Sequence, residues 1–203
     1  KLCKSIWVCP TALQTEAGMD GLLQSNFAKA KELLAAAGYD GTPIVLMHPT
    51  DLNVLANLAP VAKQLLEKSG FKVEMYSADW QTIIARVSKK DPPDKGGWSA
   101  LITSWNAGDI LDPVMSMFLN SDCEKSRAGW PCDPAMEKLR DAFARETDEG
   151  KKKELAAAVQ QRAVEWTQYI PLGQWYSPMA ARTNVHGLLV SPVPVFWNVR
   201  IEK

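Results

Sequence analysis

Carboxylate and aromatic side chains come together in one glycine-containing segment, residues 105–113, with the sequence Trp-Asn-Ala-Gly-Asp-Ile-Leu-Asp-Pro. A carboxylate flanked by aromatic rings suits an ammonium group, because the charge supplies an ion pair and the ring faces add shape and cation–π attraction. Asp109 is the candidate carboxylate, with Trp105 and Asn106 beside it. A second explanation stays open, in which Asp109 forms a turn with the neighbouring glycine. Asp112 is interpreted as the cap of a following helix.

Catalysis has no candidate residue in this sequence. No Gly-x-Ser-x-Gly, P-loop, Gly-x-Gly-x-x-Gly or His-Glu-x-x-His motif occurs. His48 and His186 are the only two histidines, and His48, which precedes a proline, is interpreted as a structural loop histidine. We therefore expect no catalytic residue, no metal site and no cofactor.

The four cysteines form two local pairs, Cys3 with Cys9 and Cys123 with Cys132. Neither pair has Cys-x-x-Cys spacing and both histidines are distant in sequence, so a zinc site is poorly supported. Two local disulfides are favoured over four free buried thiols, because each pair is close in sequence. Two disulfides would indicate maturation in an oxidising compartment.

An alternation of strands and helices must position the candidate residues. An unbroken apolar run at 43–47, an alternating apolar and polar segment at 71–76 and a third predicted strand at 100–105 are separated by two amphipathic helices, the first of which contains Pro60. Pro60 either kinks that helix or delays its regular part to about residue 59. Strands connected in this way require crossovers, so the sheet is predicted to be mainly parallel. In such sheets ligands bind beyond the carboxyl ends of the strands. This rule selects three loops, residues 48–51, 77–80 and 106–112.

The flanking regions are predicted to be less regular. Residues 1–24 are interpreted as loop, followed by a helix capped by Ser25. Two further helices are expected after the sheet, one starting at Asp133-Pro134 and one running through residues 155–166. From residue 170 onward, prolines and short β-rich runs predict extended segments. The fold class is thus α/β, with additional C-terminal helices.

Charge and hydropathy exclude two kinds of partner. Lys+Arg and Asp+Glu balance at 23 each, so no overall field favours nucleic acid or an anionic membrane. No apolar run reaches the length needed to cross a bilayer. The sequence opens at Lys1 with neither an initiator methionine nor a signal peptide, and we therefore expect a processed protein or a piece excised from a longer one.

Four segments resemble the peptide/nickel-type family of extracellular solute-binding proteins of ABC importers. Residues 26–41 resemble its "dxxKAkxLLxeAGy" stretch, and residues 65–80 its "qLkkiGikvel…dW" stretch. Residues 105–113 resemble "GWxxDxxDP", with Ser104 in place of glycine and one extra residue before Asp109. Residues 184–199 resemble "nvxGxxxxxxxxfwnv". Each match is weak alone, but together, in the correct order, they are specific.

The resemblance implies a fold and an architecture. Residues 1–203 would form the C-terminal lobe of a two-lobed protein, a periplasmic-binding-protein-like lobe with a mainly parallel sheet flanked by helices. The N-terminal lobe would be absent from this sequence, and residues 185–203 would return toward it. The mature protein would be periplasmic, with its signal peptide removed.

The resemblance also implies a function and site residues. The protein would capture peptides or similar small solutes and deliver them to a membrane permease. Asp109 would pair with the α-amino group of a bound peptide, and Trp80 and Trp105 would line the cavity. Two alternatives remain, a ligand-sensing module built on the same lobe and a small α/β hydrolase.

Overall fold

In a computed structural model, the chain is described over residues 3–191 and 193–202. Lys1, Leu2, Pro192 and Lys203, which belong to the predicted lobe, lie outside the described residues. Two compact units are present, Gly21–Ser104 and the described residues before and after that range. The predicted alternation of strands and helices falls in the first of them, called here the sheet unit; the other is called the helical unit.

The sheet unit is built on three parallel strands in the order β2-β1-β3. The strands are β1 (Ile44–Pro49), β2 (Val73–Ala78) and β3 (Ala100–Leu101). The central strand β1 is the most deeply buried, as expected for an apolar run covered on both faces. The predicted parallel topology is confirmed. The third strand is shorter than predicted, because only Ala100 and Leu101 pair with β1 before the chain leaves the sheet.

Four helices accompany the sheet, α1 (Phe27–Ala36), α2 (Asn53–Ala56), α3 (Leu58–Lys68) and α4 (Trp80–Val87). The first helix begins one residue later than a Ser25 cap would place it. The Asn26 side chain accepts the hydrogen bond from the Lys29 N–H, and Ser25 has a positive φ of 50°. Asn26 is thus the N-cap, a position that asparagine fills well.

Pro60 explains why the predicted second helix is divided into α2 and α3. A proline has no N–H to offer the carbonyl four residues earlier, which here belongs to Ala56. His48 Nε2 lies 3.0 Å from that oxygen, and His48 Nδ1 lies 2.8 Å from Ser77 Oγ. The imidazole therefore donates through Nε2 and accepts the serine hydroxyl at Nδ1. Both ring nitrogens are occupied, which supports the structural interpretation of His48.

The helical unit is organised around two packed helices, α5 (Pro134–Arg145) and α6 (Glu149–Trp166). Residues 3–20, the N-terminal segment, form no helix or strand, but Ile6 and Trp7 belong to the core of this unit. The buried members of that core are Ile6, Trp7, Leu119, Met136, Phe143, Ala156, Val159 and Ala163. Residues that are far apart in sequence thus share one apolar interior.

Gln160 on α6 fixes the N-terminal segment through hydrogen bonds. Its side chain is completely buried. Its Oε1 accepts from the Ile6 N–H and the Ser5 hydroxyl, each at 3.0 Å. Its Nε2 donates to the carbonyls of Thr15 and Ala17, at 3.0 and 2.8 Å. A buried amide satisfied on both sides specifies one position for this irregular segment.

Asp133 joins the two helices at their polar side. It caps α5, as predicted, by accepting from the Ala135 N–H at 3.1 Å. Arg162 on α6 donates to both carboxylate oxygens, with N–O distances of 2.7 and 3.0 Å. The Arg162 guanidinium holds the pKa of the buried Asp133 carboxyl below its usual range.

After Trp166 the described residues form one short antiparallel ladder, β4 (Val185–His186) with β5 (Arg200–Ile201), and no other helix or strand. Several large apolar side chains of this C-terminal segment are exposed, including Ile170, Trp175, Phe196 and Trp197. None of the described helices is both long enough and apolar enough to span a membrane.

Candidate functional site

Two of the three predicted loops meet at the carboxyl edge of the sheet. The Thr50 N–H and hydroxyl both donate to the Ala78 carbonyl, at 2.9 and 3.1 Å. Asp51 Oδ1 accepts from the Trp80 N–H at 2.8 Å. The loop after β1 and the loop after β2 are therefore tied to each other, as expected for neighbouring parallel strands.

Trp80 is the first residue of α4 and is held on two sides. Its N–H is bound by Asp51. Asp79 caps the helix, accepting from the Thr82 N–H and hydroxyl, and these hydrogen bonds hold the pKa of the Asp79 carboxyl below its usual range. The half-buried indole packs against the core of the sheet unit, which contains Leu46, Leu55, Ala59 and Ile102. Trp80 is thus partly a core residue.

Trp105, Asn106 and Asp109 lie together on one short turn of the helical unit. Asn106 immediately precedes a single 3-10 turn, Ala107–Ile110, and its carbonyl accepts from the Asp109 N–H at 3.0 Å. All three side chains are exposed. The structure therefore groups three of the four predicted ligand contacts, whereas Trp80 belongs to the sheet unit.

The two carboxylates of this segment have different environments. Asp112 Oδ1 accepts from the N–H groups of Val114 and Met115, each at 2.8 Å. It caps a turn and not the predicted helix, since the helical residues that follow directly are a 3-10 turn at Met117–Leu119, whose N-cap is Ser116. Among the described residues, no group donates a hydrogen bond to the Asp109 carboxylate or forms an ion pair with it. The turn-forming explanation for the Asp109 side chain lacks the backbone hydrogen bond that it requires.

Trp105 stands at one end of a row of aromatic rings. Its indole meets the Phe118 ring edge to face, with centroids 5.9 Å apart and planes at 88°. Phe118 also contacts the Tyr169 ring at 5.5 Å. Leu119, the next residue, is fully buried in the core, and burial raises the pKa of the Tyr169 phenol. The row therefore connects an exposed tryptophan to the interior of the helical unit.

Two residues on α5 fix the backbone that follows Asp112. Arg140 Nε donates to the Pro113 carbonyl at 2.9 Å, and Arg140 Nη1 donates to Glu137 at 2.6 Å. Glu137 Oε1 in turn accepts from the Ser121 N–H at 2.6 Å. These contacts of Glu137 and Arg140 were not predicted from the sequence. The available signal was the Glu-x-x-Arg spacing, which places both side chains on one helical face.

The cysteines are paired as predicted, Cys3 with Cys9 and Cys123 with Cys132. The second disulfide closes a small loop whose ends are also joined through the backbone, where the Cys123 N–H donates to the Pro131 carbonyl at 3.0 Å. This disulfide loop carries Arg127, whose guanidinium lies over the Phe118 ring, 4.4 Å from its centroid. Phe118 and Arg127 are further residues of the site region that sequence reasoning missed.

Solved structures identify the fold. The chain aligns with a dipeptide-binding protein from Pseudoalteromonas sp. SM9913 in complex with Met-Leu, with a TM-score of 0.63 and 20% identity over 86% of this chain and 35% of that one. It also aligns with NikA from Staphylococcus aureus in complex with Ni(L-His)2, with a TM-score of 0.60 and 18% identity over 87% of this chain and 38% of that one. The fold is that of a periplasmic-binding-protein lobe.

Sequence comparison identifies the family. Residues 10–127 match the family described as "Bacterial extracellular solute-binding proteins, family 5 Middle". The chain belongs to this family. A relative from Sinorhizobium fredii, named "Probable peptide ABC transporter periplasmic-binding protein", is 31% identical over 172 residues, which are 85% of this chain and 32% of that protein. The chain thus spans about a third of the length of such relatives.

Proposed function

We propose that this chain belongs to the solute-binding component of an ABC importer, which captures peptides or similar small solutes and delivers them to a membrane permease. One observation carries the proposal. In a chain of this family, the Asp109 carboxylate is exposed and has no partner among the described residues, while Trp105 beside it is supported by Phe118. A carboxylate that the fold does not use is available for a cationic group of the solute.

In this proposal Asp109 pairs with the α-ammonium group of the solute. Trp105 and Trp80 would line the solute cavity, and Asn106 offers an amide next to the carboxylate. The strength of the ion pair depends on the removal of water, because the same two charges attract each other far more strongly in a medium of low dielectric constant. The relative named for peptide transport and the neighbour crystallised with Met-Leu support a peptide as the solute.

We infer that the chain is the C-terminal lobe of a two-lobed protein, because relatives are about three times as long. The exposed apolar side chains after Trp166 support this arrangement. Ile170, Trp175, Phe196 and Trp197 are between 55% and 92% exposed, and such residues usually lie at an interface. The segment 185–203 would therefore return to the N-terminal lobe.

In this proposal the mature protein is periplasmic, after removal of a signal peptide, and has no catalytic activity. The relatives named as periplasmic-binding proteins and the two disulfides support the location. The environment of His48 supports a non-enzymatic role, because its two ring nitrogens are engaged with Ala56 and Ser77.

Mass spectrometry of the small molecules that co-purify with the native full-length protein tests the proposal. We expect peptides, or other solutes that carry a primary ammonium group. Uptake of the identified solute should fall in cells from which the gene has been deleted. Solutes that are exclusively neutral or anionic would exclude amine recognition, and unchanged uptake would favour a sensory role over transport.

A further inference from the structure

Four arginines are half-buried in the described chain, and one of them differs from the others. Arg86 donates to the Gly97 carbonyl. Arg140 donates to Pro113 and Glu137, and Arg162 donates to Asp133. Among the described residues, Arg127 finds no oxygen acceptor and no carboxylate within ion-pair distance. Its five N–H donors are therefore left without a partner from the described part of the protein.

The Phe118 ring and the disulfide loop define the position of Arg127. Its guanidinium carbon lies 4.4 Å from the centroid of the Phe118 ring, the same ring that Trp105 contacts. Hydrogen bonds within the disulfide loop hold its backbone, including one from the Trp130 N–H to the Arg127 carbonyl at 2.9 Å. One aromatic ring thus connects the cation to the turn that carries Asp109.

The chemistry of this arrangement favours an oxyanion. Burial lowers the pKa of the Arg127 guanidinium, but an arginine keeps its charge in proteins. The N–H groups of a guanidinium lie in its own plane. That planar fork matches the two oxygens of a carboxylate. A half-buried cation without a counterion is stabilised when such a group arrives.

We propose that Arg127 binds a carboxylate group of the solute. Asp109 would bind the ammonium group of the same solute, and this part of the inference rests on the proposed function. The two residues together would select solutes that carry both an ammonium group and a carboxylate, such as peptides with free termini. Phe118 fixes one face of the guanidinium and the disulfide loop fixes its backbone. The other possible source of the same chemistry is a carboxylate side chain from the part of the protein outside this chain.

The test compares the full-length wild-type protein with two variants, Arg127→Gln and Arg145→Gln. Arg145 is the matched control, because it lies in the same unit and is highly exposed, 4.0 Å from Asp141. Each protein is stripped of solute, incubated with the small-molecule fraction of yeast extract and desalted. Retained molecules are identified and quantified by mass spectrometry, and the melting temperature of each solute-free protein is recorded. A third variant, Arg127→Lys, keeps the charge without the planar fork.

We expect the wild-type protein and Arg145→Gln to retain the same carboxylated solutes. Arg127→Gln should bind them at least about 30-fold more weakly, as for loss of one partner of a desolvated charge pair, with the solute-free melting temperature unchanged. Arg127→Lys should fall between them. Carboxylated solutes that are not peptides would support Arg127 while contradicting the peptide assignment.

Two results would overturn the inference. One is a wild-type protein that retains no carboxylated solute. The other is undiminished retention by Arg127→Gln. If that retention is accompanied by a lower solute-free melting temperature, the partner of Arg127 is a carboxylate from elsewhere in the protein.

Discussion

Two regions of the helical unit differ in whether their polar side chains have hydrogen-bond or ion-pair partners. In the helix pair, Gln160 makes four hydrogen bonds and Asp133 binds Arg162 through both oxygens. Near the turn at residues 107–110, Asp109 and Arg127 have no polar partner among the described residues, although the nearby aromatic rings are well packed. The paired groups stabilise the fold, and we propose that the unpaired groups serve solute recognition. Variants of each group test this division.

Gln160→Leu should have the largest effect on stability. The substitution leaves the buried Ile6 N–H and the partly buried carbonyls of Thr15 and Ala17 without their partners. We expect a loss of about 3–4 kcal/mol in the free energy of unfolding, measured by chemical denaturation. Gln161→Leu is the matched control, because the Gln161 amide bonds only to exposed Glu165 among the described residues. Equal losses in the two variants would show that the buried amide is not what fixes the N-terminal segment.

Asp133→Asn should have the next largest effect. Asparagine can still cap α5 but leaves Arg162 without its counterion. We expect a loss of about 2–3 kcal/mol at neutral pH, at the lower end for a broken buried pair because the Arg162 side chain is 29% exposed. The control is Asp141→Asn, whose carboxylate is exposed and 4.0 Å from Arg145, with an expected change of about 0–1 kcal/mol.

The effect of Asp133→Asn should also depend on pH. The pKa of Asp133 is lowered in the folded protein, so its contribution to stability is complete above the unfolded-state pKa of about 3.9. That contribution is lost as the pH falls through the folded-state pKa. The difference between wild type and variant should therefore be constant near neutrality and shrink below about pH 4. A difference that grows with acidity would contradict the ion pair.

Removing the Cys123–Cys132 disulfide should have the smallest of these effects. The bond joins residues nine positions apart, and a short loop constrains the unfolded chain less than a long one. We expect Cys123→Ser/Cys132→Ser to lose about 2 kcal/mol by the same denaturation measurement. Non-reducing peptide mapping of the wild-type protein should recover this pair and Cys3–Cys9. Four free thiols or crossed connectivity would refute the pairing.

Much of the sheet unit could be predicted from local sequence. A continuous apolar run and an alternating segment, separated by helical periodicity, predict parallel strands with crossovers, and the structure has that topology. Finer details depend on contacts that are distant in sequence. The division of the helix at Pro60 involves His48, which provides the hydrogen bond that proline cannot. Neighbouring capping residues are also hard to distinguish, since both Ser25 and Asn26 are suitable types.

The site could be predicted only in part. The residues next to Asp109 and Asp112 indicated different roles, and Asp112 is a capping residue, although of a turn and not of the predicted helix. Arg140 contacts Pro113 across 27 positions of sequence, and no local pattern announces such a contact. Arg127 could not be recognised from the sequence either, because it is distinguished by having no hydrogen-bond acceptor or ion-pair partner among the described residues.

Calorimetry on the full-length protein with its co-purified solute tests the central claim most directly. Asp109→Asn should weaken binding by about 2–5 kcal/mol, or about 30-fold to several thousand-fold, because the solute's ammonium group would be buried without its partner. Asp112→Asn, which alters only a capping carboxylate, should cost about 1 kcal/mol of local stability and leave the affinity nearly unchanged. Both variants should melt near the wild-type temperature. If Asp109→Asn binds the solute as tightly as the wild-type protein does, Asp109 is not the ammonium anchor.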